Sequence, residues 1–109
     1  MENFGLSEKS YEILKKIFKD YPALTKIKVY GSRAKGNYTE RSDLDLVIMD
    51  DLDRKTLGEI WMEINSSDFP LNVDLQVWKD IKNENLREHI QRVGKVFYST
   101  HYSNVFEEK

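Results

Sequence analysis

The sequence has 109 residues, 39% hydrophobic and 33% charged, with a formal net charge of −2 and no cysteine. That length suits one domain spanning 1–109, and the composition is that of a soluble globular chain. A disulfide framework, a thiolate metal site and a cysteine nucleophile are excluded, and the strongly basic field that tight duplex binding needs is missing.

In chain order, Met1 to Ser10 lack the basic start and apolar run of a signal peptide, and no apolar stretch approaches a membrane span, so a cytoplasmic location is expected. Ser7 can cap a helix with Glu8 in its first turn, and Tyr11, Leu14, Ile17, Phe18 and Tyr21 then recur at helical spacing until Pro22. This predicts a helix over about Glu8 to Asp20. Lys26 to Tyr30 alternates polar and apolar, as a strand does. Gly31 and Gly36 bracket a short turn and helix. Leu44 to Met49 is apolar apart from Asp45, which suits a strand buried on both faces. Asp53 is a good N-cap for a helix carrying Leu57, Ile60, Trp61 and Ile64 toward the core. Val73, Leu75 and Val77 alternate with Asp74 and Gln76 as a third strand. Asp80 is expected to cap a last helix with Ile81, Leu86, Ile90 and Val93 facing inward and Gly94 at its end. From Tyr98 onward the tail is expected to be irregular. The elements make a small α/β (α+β) layer: a sheet of about three or four strands with helices packed on it.

The chemistry-bearing residues concentrate around Gly31–Asp45. Asp43 and Asp45, one residue apart at a strand start, project to the same side. Carboxylates held together repel, and a divalent cation with oxygen preference, such as Mg²⁺, resolves the repulsion. Asp74 stands mid-strand where an apolar residue is expected; if its strand lies beside that of Asp45, a third carboxylate reaches the same point. Such a trio suits phosphoryl or nucleotidyl displacement, with Asp74 also able to take a proton from an acceptor hydroxyl. Gly31 and Ser32, between a strand and a helix start, suit a phosphate cradle. Arg33 and Lys35 add positive charge nearby. Gly, Ser, Asp and Asp in this fixed pattern arise by chance in roughly one chain per thousand of this length.

Gly31-Ser32-Arg33-Ala34-Lys35-Gly36, then ten residues between Ser32 and Asp43, then Ser42-Asp43-Leu44-Asp45-Leu46, resembles the signature of the DNA-polymerase-β-like nucleotidyltransferases. The short length and the form of the motif resemble the minimal nucleotidyltransferase (MNT) branch, and Val73-Asp74-Leu75 resembles its third-carboxylate strand. The resemblance covers about Ile27 to Trp78. It implies a mixed sheet in a polymerase-β-like palm, with Asp43, Asp45 and Asp74 as catalytic and metal-binding residues. It further implies Mg²⁺, and Gly31, Ser32 and Arg33 holding the triphosphate of ATP. Many such proteins are antitoxins encoded beside a HEPN-domain toxin, to whose tyrosine they transfer AMP, so the resemblance implies a HEPN partner and a homo- or hetero-oligomer.

The other candidates read as structural. His89 is expected to be solvated on the last helix, Trp61 to be core, and Asp50-Asp51-Asp53 to form a loop and cap, while Trp78 is open to packing or to lining the nucleotide site. Two other functions stay open: a non-catalytic module that neutralises a partner by contact through the first helix and the tail with Tyr98, Tyr102 and Phe106, and a small-molecule nucleotidyltransferase of the antibiotic-modifying kind.

Overall fold

A computed structural model describes residues 3–100. Helix α1 runs Glu8–Lys19, β1 Lys26–Tyr30, α2 Gly31–Lys35, β2 Leu44–Ile48, α3 Arg54–Ser66, β3 Val73–Val77, α4 Glu84–Val93 and β4 Lys95–Ser99, with a 3₁₀ turn at Trp78–Asp80. Ser7 caps α1 by accepting the Ser10 N–H, and Asp53 caps α3 by accepting that of Thr56, each satisfying an amide with no partner inside its own helix. None of the described helices is long and apolar enough to cross a membrane.

The four strands lie in the order β3-β2-β1-β4. β1 pairs antiparallel with β2 and β4, while β2 and β3 run parallel, so the sheet is mixed, as expected. Alternation along the strands divides the side chains between two faces. Ile27, Val29, Leu44, Leu46 and Ile48 point to one face, where Leu14, Ile17 and Phe18 of α1 and Ile60 and Ile64 of α3 close the main core. Tyr30 and Val47 point to the other, which α4 covers with Ile90, helped by Ile81 ahead of it. Asp50 ties the β2 exit to the β1 entry by accepting from the Thr25 N–H at 2.7 Å and the Lys26 N–H at 3.1 Å.

Three expectations are corrected here. The segment around Tyr98 is not irregular: β4 adds to β1, Phe97 stacks on Tyr11 with ring centroids 4.7 Å apart, and Tyr98 is buried against Phe18. Tyr98 is therefore unavailable as an exposed contact residue, while Tyr102 and Phe106 lie outside the described residues. Asp80 does not cap the last helix; it ends the 3₁₀ turn, and Asn83 caps α4 by accepting the Leu86 N–H. Trp61 is not core. It is 48% exposed because the buried stripe of α3 runs through Ile60 and Ile64, and the next residue in a helix lies about 100° round.

Candidate active site

Cross-strand register builds the site. Tyr30 pairs with Asp45, and Asp45 pairs with Asp74, so three neighbouring strands place these side chains in one row on the α4 face of the sheet. The adjacency of the β2 and β3 carboxylates, an inference in the sequence, is a fact of the register. Asp43 stands two residues before Asp45, in the non-regular segment leading into β2, and is exposed.

Asp45 is half-buried, and its pKa is pushed up to about 6 by desolvation first, then by the charges of Asp74 and Asp43. The charges of Asp74 and Asp43 therefore reach Asp45. The three carboxylates do not close into a finished cage: among the described residues no three His, Asp or Glu side chains are grouped as metal ligands. The donor set nevertheless fits a hard divalent cation, since it is all carboxylate oxygen and one member carries an unfavourable charge that a cation would relieve. Asp74, on the edge strand, accepts from Gln76 Nε2 at 3.3 Å and lies 3.5 Å from the Tyr30 hydroxyl. The Tyr30 hydroxyl is held above its usual range, chiefly by burial and then by Asp74 and Asp45, so it stays protonated.

Gly31 starts α2 at the end of that row, with φ +72°. A Cβ built on it would come within 2.3 Å of Asp45 Oδ2. Only glycine combines that backbone angle with so close an approach to a carboxylate. Ser32 follows it, half-buried, and Lys35 is exposed.

Arg33 departs from its expected role. It is 1% exposed, and its guanidinium donates to main-chain carbonyls rather than facing an anion. Nε and Nη2 reach Ser42 O at 3.1 and 2.9 Å, Nη1 reaches Phe4 O at 2.9 Å, and Nη2 also reaches the carbonyls of Thr39 and Glu40. Tyr38 lies over it, 5.0 Å from ring centroid to Cζ. Arg33 thus holds shut the loop that delivers Asp43, and its five donors suit that task where a lysine's three do not. His89, read from the sequence as solvated, departs as well. Instead of facing solvent alone, it is half-buried and its Nε2 accepts the Gly31 N–H at 3.3 Å. Trp78 packs beside the α4 cluster, with the Arg87 guanidinium 4.0 Å over its ring. The acidic turn is structural: Asp50 and Asp53 hold backbone amides, and Asp51 pairs with Lys79.

The family described as "Polymerase beta, Nucleotidyltransferase" matches residues 12–103. The chain belongs to the polymerase β nucleotidyltransferase family. No curated protein matches it. Solved structures similar to this polymerase β nucleotidyltransferase include a toxin–antitoxin with AMP-PNP, at 22% identity and TM-score 0.66 over 88% of this chain and 78% of that one. A second is the toxin–antitoxin MntA–HepT, at 19% identity and TM-score 0.61 over 92% and 79%. A third is a tri-AMPylated Shewanella oneidensis HEPN toxin in complex with MNT antitoxin, at 19% identity and TM-score 0.63 over 93% and 79%. At these identities the likeness is one of fold, and it agrees with the mixed four-stranded sheet described above.

Proposed function

We propose that this nucleotidyltransferase transfers AMP from ATP, with Mg²⁺, to a hydroxyl of a partner protein of the HEPN class, as the antitoxin of a toxin–antitoxin pair. The observation that carries the reading is the row Tyr30–Asp45–Asp74 ending against Gly31. It sets carboxylates beside a glycine corner where a triphosphate can approach the backbone. The fold shared with a toxin–antitoxin solved with AMP-PNP, and with an MNT antitoxin in complex with a tri-AMPylated HEPN toxin, supports the nucleotide and the acceptor.

Asp43, Asp45 and Asp74 would hold Mg²⁺, which supplies charge neutralisation on the triphosphate when bound. Gly31 and Ser32 border the phosphates, with the Ser32 hydroxyl as a donor. In the transfer, the acceptor oxygen forms a bond to the α-phosphorus, the bond from that phosphorus to the bridging oxygen breaks, and pyrophosphate leaves. Asp74, exposed on the edge strand, takes the proton of the acceptor hydroxyl. Arg33 contributes indirectly, by fixing the loop before Asp43.

Labelled ATP, Mg²⁺ and the protein encoded beside this one test the proposal. Wild type should label the partner, and an Asp43→Ala variant should label it less by a factor of about 100 or more. No labelling by wild type rejects transfer, and equal labelling by the two rejects the role of Asp43. Survival of cells carrying the partner with an Asp43→Ala/Asp45→Ala antitoxin would instead favour neutralisation by contact.

A further inference from the structure

Helix α4 lies across the face of the sheet that holds the carboxylate row, seated by Ile90 on Tyr30 and Val47. Its start is fastened by Arg87, whose Nη1 donates to Trp78 O at 3.0 Å and Ile81 O at 2.8 Å. From this anchored helix one side chain reaches the strand-to-helix corner. His89 Nε2 accepts the Gly31 N–H at 3.3 Å, and its ring meets the Tyr30 ring edge-on with centroids 6.2 Å apart. These two consecutive corner residues are the ones that border the carboxylates. Tyr30 places its hydroxyl 3.5 Å from Asp74 Oδ2, and Gly31 presses its Cα side against Asp45 Oδ2.

We propose that His89 is a positioning residue that braces the Tyr30–Gly31 corner and so fixes where Asp45 and Asp74 point. To accept from an amide, the imidazole must present a lone pair at Nε2 and carry its proton on Nδ1. The brace is therefore the Nε2 lone pair of the imidazole ring. It touches neither carboxylate in this structure and acts through the two residues that do border them. The corner needs such a support because Gly31, at φ +72°, has the least backbone restriction of any residue type. Without an external partner for its N–H, that peptide is free to rotate and the space held for Asp45 changes shape.

The proposal rests on the reading of the carboxylate row as the metal and nucleotide site, and two variants separate the two claims. His89→Leu keeps much of the volume and removes the acceptor, whereas His89→Gln offers Oε1 at a similar reach. The readouts are hydrogen exchange of the Gly31 amide by NMR, Mg²⁺ affinity by calorimetry, and steady-state kinetics. His89→Leu should speed Gly31 exchange about tenfold, the effect of losing one hydrogen bond on local opening. It should weaken Mg²⁺ binding about fivefold and lower kcat about tenfold with little change in KM for ATP, while His89→Gln restores all three. Wild-type Mg²⁺ affinity and kcat in the leucine variant would overturn the proposal, as would a glutamine variant as impaired as the leucine one. If wild type neither binds Mg²⁺ nor transfers a nucleotide, the reading of the site falls. Gly31 exchange then decides the brace alone, and an unchanged rate in His89→Leu refutes it.

Discussion

Asp45→Asn should make the protein more stable while abolishing its chemistry. Burial and the nearby Asp74 and Asp43 charges raise the Asp45 pKa to about 6, well above that of an aspartate in the unfolded chain. A carboxylate raised in this way favours folding at low pH and forfeits that contribution as pH rises through about 6. At about 1.4 kcal/mol per pKa unit, the ionised form costs roughly 3 kcal/mol before screening. Asp45 is only half-buried, so solvent reduces this to about 1 kcal/mol. An amide of the same shape removes the charge, and a gain of that size in a domain of this length is about 4 °C in melting temperature. Thermal melts in EDTA at pH 4 and pH 8 provide the assay. The variant should melt higher than wild type at pH 8 and alike at pH 4, and added Mg²⁺ should raise the melting temperature of wild type only. A variant no more stable than wild type at pH 8, or one gaining equally at both pH values, would refute the idea that the site stores electrostatic strain.

Two further outcomes follow from the corrected residues. Arg33→Ala should cost about 3 kcal/mol or more, because it strips the donors from carbonyls that end up buried; urea denaturation checks this, and Arg33→Lys should recover less than half. Trp61→Gln should change stability by no more than about 0.5 kcal/mol, as for an exposed position, against the roughly 3 kcal/mol or more of a core tryptophan truncation.

The elements that sequence made legible are those whose signals are local. The Ser7 and Asp53 caps, the α1 stripe and the two inner strands each announce themselves within a dozen residues. β4 did not, for two reasons. Its partner β1 is about 70 residues earlier in the chain, and the register shifts between Ile27 and Lys28. That irregularity puts Phe97 and Tyr98 both in the core and erases the period of two by which a strand is recognised. At the α4 cap, Asp80 suits the role by type, but it ends the 3₁₀ turn that Arg87 fastens, and Asn83, three residues on, takes the cap.

The site divides along the same line. The juxtaposition of Gly31, Asp45 and Asp74 was legible because carboxylates inside strands and a glycine at a strand end stand out from the apolar pattern, and the register brings them together. Arg33 was misread because charge beside a Gly-Ser pair has the same sequence signature whether it faces a ligand or five carbonyl contacts. His89 was missed because helical periodicity marks apolar faces, and a histidine at the margin of such a face shows its partner only once the helix is docked.

The lateral row of Tyr30, Asp45 and Asp74 also bears on how the sheet finds its pairing. Strand side chains alternate, so sliding β3 by one residue would turn Asp74 into the apolar layer beneath α1 and α3 and expose Val73 and Leu75 in its place. An unpaired carboxylate in that layer costs several kcal/mol. Asp74 therefore doubles as a proofreader of the register of β3, the edge strand that runs parallel to β2. A misaligned copy would be too unstable to persist.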